Sequence, residues 1–524
     1  MCSTDRDSGI GCGEGYYGVK KPKGAGLLGV DVGTTGCKAG VFSEEGRLLS
    51  LAYAEYDVKH PKPGWAELNS HEVWASVKRT IAQAVSTSSV SVTALAVSSL
   101  GEALVPVSAE REVLGPSILN FDTRGEEYLA ELSEALPDTR LYQINGNSLG
   151  NHYSLTKLLW LKDHEPTLYE RADKFLPWGS FVGYMLGAEP AVDLSLANRT
   201  LLLDLDRQDW SDEVLSLAGI GRDKLPRVVP SGTPIGRISS SLAKELGLPK
   251  KAVIVSGAHD QCANAVGCGV LDEGRAMYGM GTYLCITPVF RERKETHLMM
   301  ERGLSTEHHV LPDRFVTFLY NHGGSLVKWF RDTFAKEEHR RAQIVGRDIY
   351  EELFLELPKG PSGLLVLPHF ATTGPPEFVG DSSGVIMGLR LDTSRGAILK
   401  GILEGATFYL RECLEALAPT GIRVEELRAV GGGSKSDYWV QLSADIFGLP
   451  LVRPEITEAG VLGAAILAGV GCGTFDSVEE GVAAMVRLER LFEPDSRQAS
   501  AYEPWFARYR EMWPLMRDFL RRLV

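Results

Sequence analysis

The sequence predicts an α/β protein built from two domains of related fold that face one cleft, and three observations carry the prediction. Its 524 residues exceed what one typical core holds. Apolar runs of strand length alternate with stretches of helical period. The pattern of apolar strand, Gly-Thr turn and apolar strand at 27–41, LLGVDVGTTGCKAGV, is echoed at 276–286 by AMYGMGTYLCI, as an ancient duplication would leave it.

The first hairpin carries chemistry. Gly33 and Gly36 strip the turn of side chains so that a ligand can approach the backbone, and the hydroxyls of Thr34 and Thr35 with free N–H groups suit phosphate oxygens. Asp31, on the strand before the turn, suits the water shell of a magnesium ion, which binds few carboxylates directly. Lys38 offers a compensating positive charge, and the plain alternative is an ordinary Gly-containing hairpin.

Further along, 47–56 reads as a strand, and Asn69 or Ser70 caps a helix with Val73, Trp74, Val77 and Ile81 on its apolar positions. A buried strand at 92–97 delivers Ser98, Ser99, Gly101 and Glu102 beyond its carboxyl end, where α/β proteins hold ligands. Another strand, 103–107, leads to Asp122. Residues 125–186 read as mostly helical and 187–250 as loop-rich. The strand at 252–257 delivers His259, Asp260 and Gln261, and the small residues 262–269 suit a tightly packed helix at a domain junction. In the second half, Gly323 and Gly324 open a helix with Leu326, Trp329 and Phe330 on one side, and 363–368 reads as a buried strand. Asp392 or Thr393 caps a long amphipathic helix, and Gly431, Gly432 and Gly433 end a strand. Residues 458–470 read as a Gly/Ala-rich helix, and the tail from Tyr502 as an amphipathic one.

Composition excludes several classes. A net charge of −13 and a pI near 5.5 argue against a general binder of nucleic acid or anionic membrane, though not against an anionic small ligand held by backbone N–H groups. Eight cysteines show no CxxC spacing and no accompanying histidine cluster, so reduced thiols of a cytoplasmic protein are expected rather than zinc or disulfides. Residues 1–26 lack the apolar core of a signal peptide and read as a flexible leader; their GCGEG follows no strand. The apolar stretch at 459–475 is Gly-rich and too short for a membrane span.

The order of the motifs is more specific than any one of them. Asp31-x-Gly33-Thr34-Thr35, Asp260-Gln261, Gly281-Thr282, Gly323-Gly324 and Gly431-Gly432-Gly433 together resemble the FGGY carbohydrate kinases, which include glycerol kinase and xylulokinase. GWAELN, FDTR, GVIMGL and EGATFYLRE extend the likeness over about residues 27–473. The resemblance implies two ribonuclease-H-like domains of the actin and hexokinase ATPase type. It places the sugar mainly on an N-terminal domain, 27–259, and ATP mainly on a C-terminal domain, 260–524.

It also implies roles. Asp260 matches the family's catalytic aspartate, the general base that phosphoryl transfer to an alcohol needs, and Gln261 a hydrogen-bond partner of a substrate hydroxyl. Gly33, Thr34 and Thr35 would face the γ-phosphate, Asp31 a hydrated Mg²⁺, and Lys38 the phosphates. Gly281 and Thr282 would contact the β- and γ-phosphates, Gly324 would let the nucleotide approach a helix start, and Gly432 and Ser436 would line the adenine and ribose pocket. Ser436 stands where some members have an amide side chain.

For the acceptor, Glu102 aligns with the glutamate that glycerol kinases use for substrate hydroxyls, which favours a neutral polyhydroxy compound. Their neighbouring arginine is here Gly101, expected to leave room for something larger than glycerol. Asp122, with Asn151, His152 and Trp178, is a candidate for the sugar pocket, the alternative for each being a structural role. Since residues 372–381 depart from the xylulokinase pattern, the acceptor is read as a ketose or polyol of about four to six carbons, xylulose being one candidate. The expected partners are thus ATP, Mg²⁺ and a sugar or polyol in the cytoplasm, with neither nucleic acid nor membrane, and a homodimer is allowed. The competing readings are a sugar- and nucleotide-binding regulator of the same fold with little kinase activity, and a chaperone-like ATPase of the same superfold. The regulator would show eroded phosphate loops, whereas Asp31, Thr34, Thr35, Asp260 and Thr282 are all present.

Overall fold

A computed structural model describes residues 24–523. The expected leader falls outside the described residues except at its end, where Ala25 and Gly26 already belong to the first strand. That strand, β1 (Ala25–Val32), pairs antiparallel with β2 (Gly36–Phe42), and β2 with β3 (Leu48–Glu55). On its other side β1 runs parallel to β4 (Ser91–Ser99). The edge of this six-stranded sheet is β5 (Pro234–Arg237), antiparallel to β6 (Val253–His259), which is itself parallel to β4. Helix α1 (Ser70–Thr87), capped by the Asn69 side chain, lays Val73, Val77, Ile81 and Ala84 on one face, joined there by α2 (Trp178–Leu186).

The second half repeats the plan. After a short helix, α3 (Leu194–Asn198), and α4 (Asp260–Gly267), β7 (Gly274–Met280) and β8 (Tyr283–Phe290) form an antiparallel hairpin. The hairpin continues on one side through β9 (Glu307–His308), β10 (Phe315–Val316) and β11 (Leu319–His322). On the other side β7 is parallel to β12 (Val424–Val430), β12 to β13 (Leu451–Pro454), and β14 (Leu488–Phe492) closes the sheet antiparallel. A hairpin at one side and parallel strands at the other is the shared plan, so the weak echo in sequence is a strong one in topology. Helices α5 (Gly324–Phe334), α6 (Arg395–Leu417), α7 (Asp437–Phe447) and α9 (Ser496–Leu520) pack around this half.

The Gly/Ala-rich helix α8 (Ala459–Gly471) returns from the second half to lie on β1, β4 and α4. Its side chains are small because the backbones touch. A Cβ on Gly29 would sit 1.8 Å from the Val461 carbonyl oxygen, one on Gly463 2.0 Å from that of Ala263, and one on Gly267 1.9 Å from that of Ala459. This shared core joins Leu27, Ala94 and Ala258 to Met277 and Val430. Among the described residues, no helix is long and apolar enough to cross a membrane.

Three local expectations change. Ser394, not Asp392 or Thr393, caps α6, because Thr393 is held in a turn whose hydroxyl takes the Arg390 N–H. Trp329 faces outward, edge-on to Phe334 and Phe370, while Leu326 and Phe330 are buried. The strand expected at 363–368 is only Leu365–Leu367, paired with Val385–Met387 in a separate ribbon.

Candidate active site

Asp31 lies opposite Lys38 across the β1–β2 ladder and beside Ser98 of β4, whose hydroxyl donates to Asp31 Oδ1 at 2.8 Å. Burial pushes its carboxyl above the usual range, against the opposing pull of Ser98 and Lys38. A carboxylate so short of positive charge fits a hydrated divalent cation. Lys38 bonds Glu458 just before α8, and Lys435 lies 3.7 Å from the same carboxylate, so the lysine bridges the two halves.

The turn after Asp31 is held open from beneath. The Tyr56 hydroxyl reaches the carbonyls of Gly33 and Gly36 at 2.6 and 3.0 Å, and Gly33 N–H bonds Gly36 at 2.9 Å. Among the described residues, no hydrogen bond occupies the N–H or hydroxyl groups of Thr34 and Thr35. In the sequence Tyr56 carries no signal of this role, since it reads only as the end of a strand.

The echo turn is arranged differently. The N–H groups of Gly324 and Ser325, at the start of α5, donate to the carbonyls of Gly281 and Thr282 at 3.1 and 3.0 Å. A Cβ at 324 would lie 2.3 Å from the Gly281 oxygen, so the contact between helix and turn by itself requires glycine here. Gly281 and Thr282 themselves are exposed. In the third loop Gly431 needs its positive φ of 84°, Gly432 is exposed with open space where a Cβ would stand, and Ser436 caps α7 by accepting the Trp439 N–H.

Asp260 sits where β6 ends and α4 begins. Its Oδ1 accepts the Gln261 side-chain amide at 3.0 Å and lies 3.2 Å from His259 Nε2. No hydrogen bond among the described residues takes Oδ2. Burial, then the charges of Asp31 and Glu102, push the Asp260 carboxyl up to about 7. His259 is held well below its ordinary value by burial and then by Arg199, so it is neutral. Its backbone N–H bonds the Ser195 hydroxyl of α3 at 2.9 Å.

Glu102 follows β4 with a positive φ of 57° and is buried. It does not stand alone. Arg199, at the end of α3, gives both Nε (2.7 Å) and Nη2 to Glu102 Oε1, and Nη1 to Glu307 of β9. The room expected at Gly101 is therefore filled: a Cβ there would meet Arg199 Cγ at 2.9 Å and His259 Cδ2 at 3.2 Å. The available signal was an arginine inside the apolar run LSLANRTLLL, a residue type seldom buried unless paired.

Other expected pocket residues have structural partners. Both oxygens of Asp122 are engaged, by Ala66 N–H and by the backbone and guanidinium of Arg124, so it clamps a loop. Trp178 is fully buried and donates to Ser117 at 3.1 Å. Asn151 donates to the Asp122 carbonyl at 3.0 Å. His152 lies against Tyr153 and, across the two halves, against Phe378 of the 372–381 loop.

Asp31 and Glu102 thus lie close enough to Asp260 for their charges to act on its carboxyl, and the glycine loop at 431–433 packs against Met280 at the end of β7. The sequence matches the N-terminal domain of the FGGY family of carbohydrate kinases over residues 27–267 and its C-terminal domain over 290–472. The xylulose kinase of Bacillus subtilis (strain 168) is 28% identical over 94% of this chain and 97% of its own length. The glycerol kinase of Methylibium petroleiphilum is 31% identical over 91% and 96%. The solved structure of a xyloylose kinase from Brucella ovis superposes with a TM-score of 0.81 at 27% identity, covering 94% of this chain and all of that one. The chain belongs to the FGGY family of carbohydrate kinases, with the two-domain, actin- and hexokinase-like architecture of that family.

Proposed function

We propose that the chain transfers the γ-phosphoryl group of ATP to a hydroxyl of a small neutral sugar or polyol, with Asp260 as general base. The observation that carries this reading is the setting of Asp260: Oδ1 is tied by Gln261 and His259 while no hydrogen bond among the described residues takes Oδ2, and burial pushes the carboxyl up to about 7. Oδ2 accepts the hydroxyl proton as the alcohol oxygen bonds the γ-phosphorus and the bridge to the β-phosphate breaks, releasing ADP. Thr34, Thr35, Gly281 and Thr282 hold the phosphate oxygens, Lys38 adds positive charge, and Gly432 and Ser436 border the nucleoside. Asp31 would face a hydrated Mg²⁺, whose charge offsets that of the phosphate oxygens. Closure of the halves keeps out water, the competing acceptor.

The names of two relatives, xylulose kinase and glycerol kinase, support a ketose or polyol as the acceptor. The test is ADP release from Mg²⁺-ATP with a panel of polyols, ketoses, aldoses and cyclitols. Strong stimulation by a neutral member is expected. Absence of stimulation by all of them, with ATP still bound, would contradict the reading and favour a regulatory protein.

A further inference from the structure

Arg199 is largely buried and takes no step in the proposed transfer. We infer that Arg199 is an acceptor-binding residue, paired with Glu102 to take two adjacent hydroxyls of a neutral polyol or sugar, and that Glu307 of the second half is its positioning residue. The inference rests on the proposed kinase reading for the identity of the pocket, and it adds the residues that choose the acceptor.

Three observations carry it. First, the guanidinium is not exhausted by its two carboxylates. It has five N–H groups; Nε and one N–H of Nη2 go to Glu102 and one N–H of Nη1 to Glu307, which leaves a second N–H on each terminal nitrogen. Glu102 in turn places both bonds on Oε1, and Oε2 accepts none among the described residues. A free donor beside a free acceptor is what a vicinal diol needs, since each hydroxyl both gives and takes a hydrogen bond.

Second, the exposure is graded. The side chains of Arg199 and Glu102 keep 11% and 7% of their surface, whereas Glu307 keeps 1%. A ligand therefore reaches the first two, and Glu307 stands behind them. Tyr153 and Phe318 flank the guanidinium, with ring centres 5.1 and 5.5 Å away.

Third, the cluster adjoins the base. The stem of Arg199 and the His259 ring share the space at Gly101, and His259 contacts Asp260. The cluster holds two carboxylates against one guanidinium, so an acceptor bearing its own carboxylate would be repelled. Glu307 Oε2 is buried without a hydrogen-bond partner among the described residues, so the Oε1 bond from Arg199 is what offsets the burial of this carboxylate.

The experiment is direct binding of xylulose, xylitol, erythritol, glycerol and gluconate by calorimetry, with ATP binding measured in parallel, on the wild type and on Arg199→Lys, Glu307→Gln and Glu307→Asp. The neutral compound bound best by the wild type is expected to bind about tenfold or more weakly to Arg199→Lys, which loses the fork. Glu307→Gln should weaken it less, Glu307→Asp should recover part of the loss, and ATP affinity should stay within about twofold. Gluconate should not bind the wild type. If Glu307→Gln does not fold, Glu307→Asp and Arg199→Lys still decide the matter.

Unchanged acceptor affinity in folded Arg199→Lys would overturn the inference, as would tight gluconate binding or binding of none of the neutral compounds. ADP release with the bound acceptor is scored separately. Binding that depends on Arg199 without ADP formation would refute the kinase reading and leave the acceptor site standing.

Discussion

The two halves of the molecule meet in two contrasting ways. Where α8 lies on β1 and α4, glycines let backbone touch backbone, and nothing there can change partners. Where α3 meets β9, three charged side chains, Glu102, Arg199 and Glu307, hold one another. The first contact is close-packed and tolerates no added atom. The second contains donors and acceptors that a hydroxylated ligand can share. One junction joins the halves through close backbone contact, and the other through charged side chains.

The largest effect should come from filling the dry junction. Gly29→Val places side-chain atoms where the Val461 carbonyl stands, and most of the folded protein should be lost, seen as insoluble protein or a collapse of the thermal midpoint. Recovery of Gly29→Val at wild-type stability would show that the junction is looser than the backbone contact implies.

Next is Arg199→Met, which leaves two buried carboxylates without their cation and should cost about 3–5 kcal/mol by thermal or denaturant unfolding. Adding Glu307→Gln to Arg199→Met should return part of that stability but none of the acceptor affinity. Return of both would reduce the triad to a structural strut like the glycine contact.

A pH effect comes third. Asp260 titrates near 7 in the fold, above its ordinary value of 3.8, so the fold favours its protonated form. Its share of stability is present below about pH 4 and is lost as pH rises through about 7. Asp260→Asn should therefore raise the thermal midpoint by a few degrees at pH 8 and by little at pH 4. An equal gain at both would mean that the carboxyl titrates normally. In the wild type, kcat/KM should rise with pH through about 7, since the proposed base accepts a proton only when ionised.

The smallest effect belongs to Tyr56→Phe, which removes the hydroxyl bonded to the Gly33 and Gly36 carbonyls. Loss of about 1 kcal/mol in ATP binding, a few-fold in Kd, is expected by titration, with acceptor binding unaltered.

The contrast also explains what was legible in the sequence. The two hairpins, the capping Asn69 and the Gly/Ala character of α8 are local matters of backbone, turn chemistry and period, and the structure has them where they were expected. The Gly33–Gly36 and Gly281–Thr282 turns and the place of Asp260 at a strand end were likewise legible as local structure, because each follows a strand with its own motif. The triad was hidden, since Arg199 is 97 residues from Glu102 and 108 from Glu307 in the chain. Gly101 misled for the same reason: a missing side chain reads as empty space until the residue that occupies it is known. Asp122 was open to a structural or a pocket role in the sequence, and only its bonds to Ala66 and Arg124, invisible there, show the structural one.

The most direct test of the account is phosphoryl transfer by Asp260→Asn, measured as ADP release with the preferred acceptor alongside ATP affinity. The account predicts a fall in turnover of about a thousandfold or more, with ATP Kd within about threefold of the wild type. A folded Asp260→Asn protein that keeps a tenth or more of the wild-type turnover would contradict it.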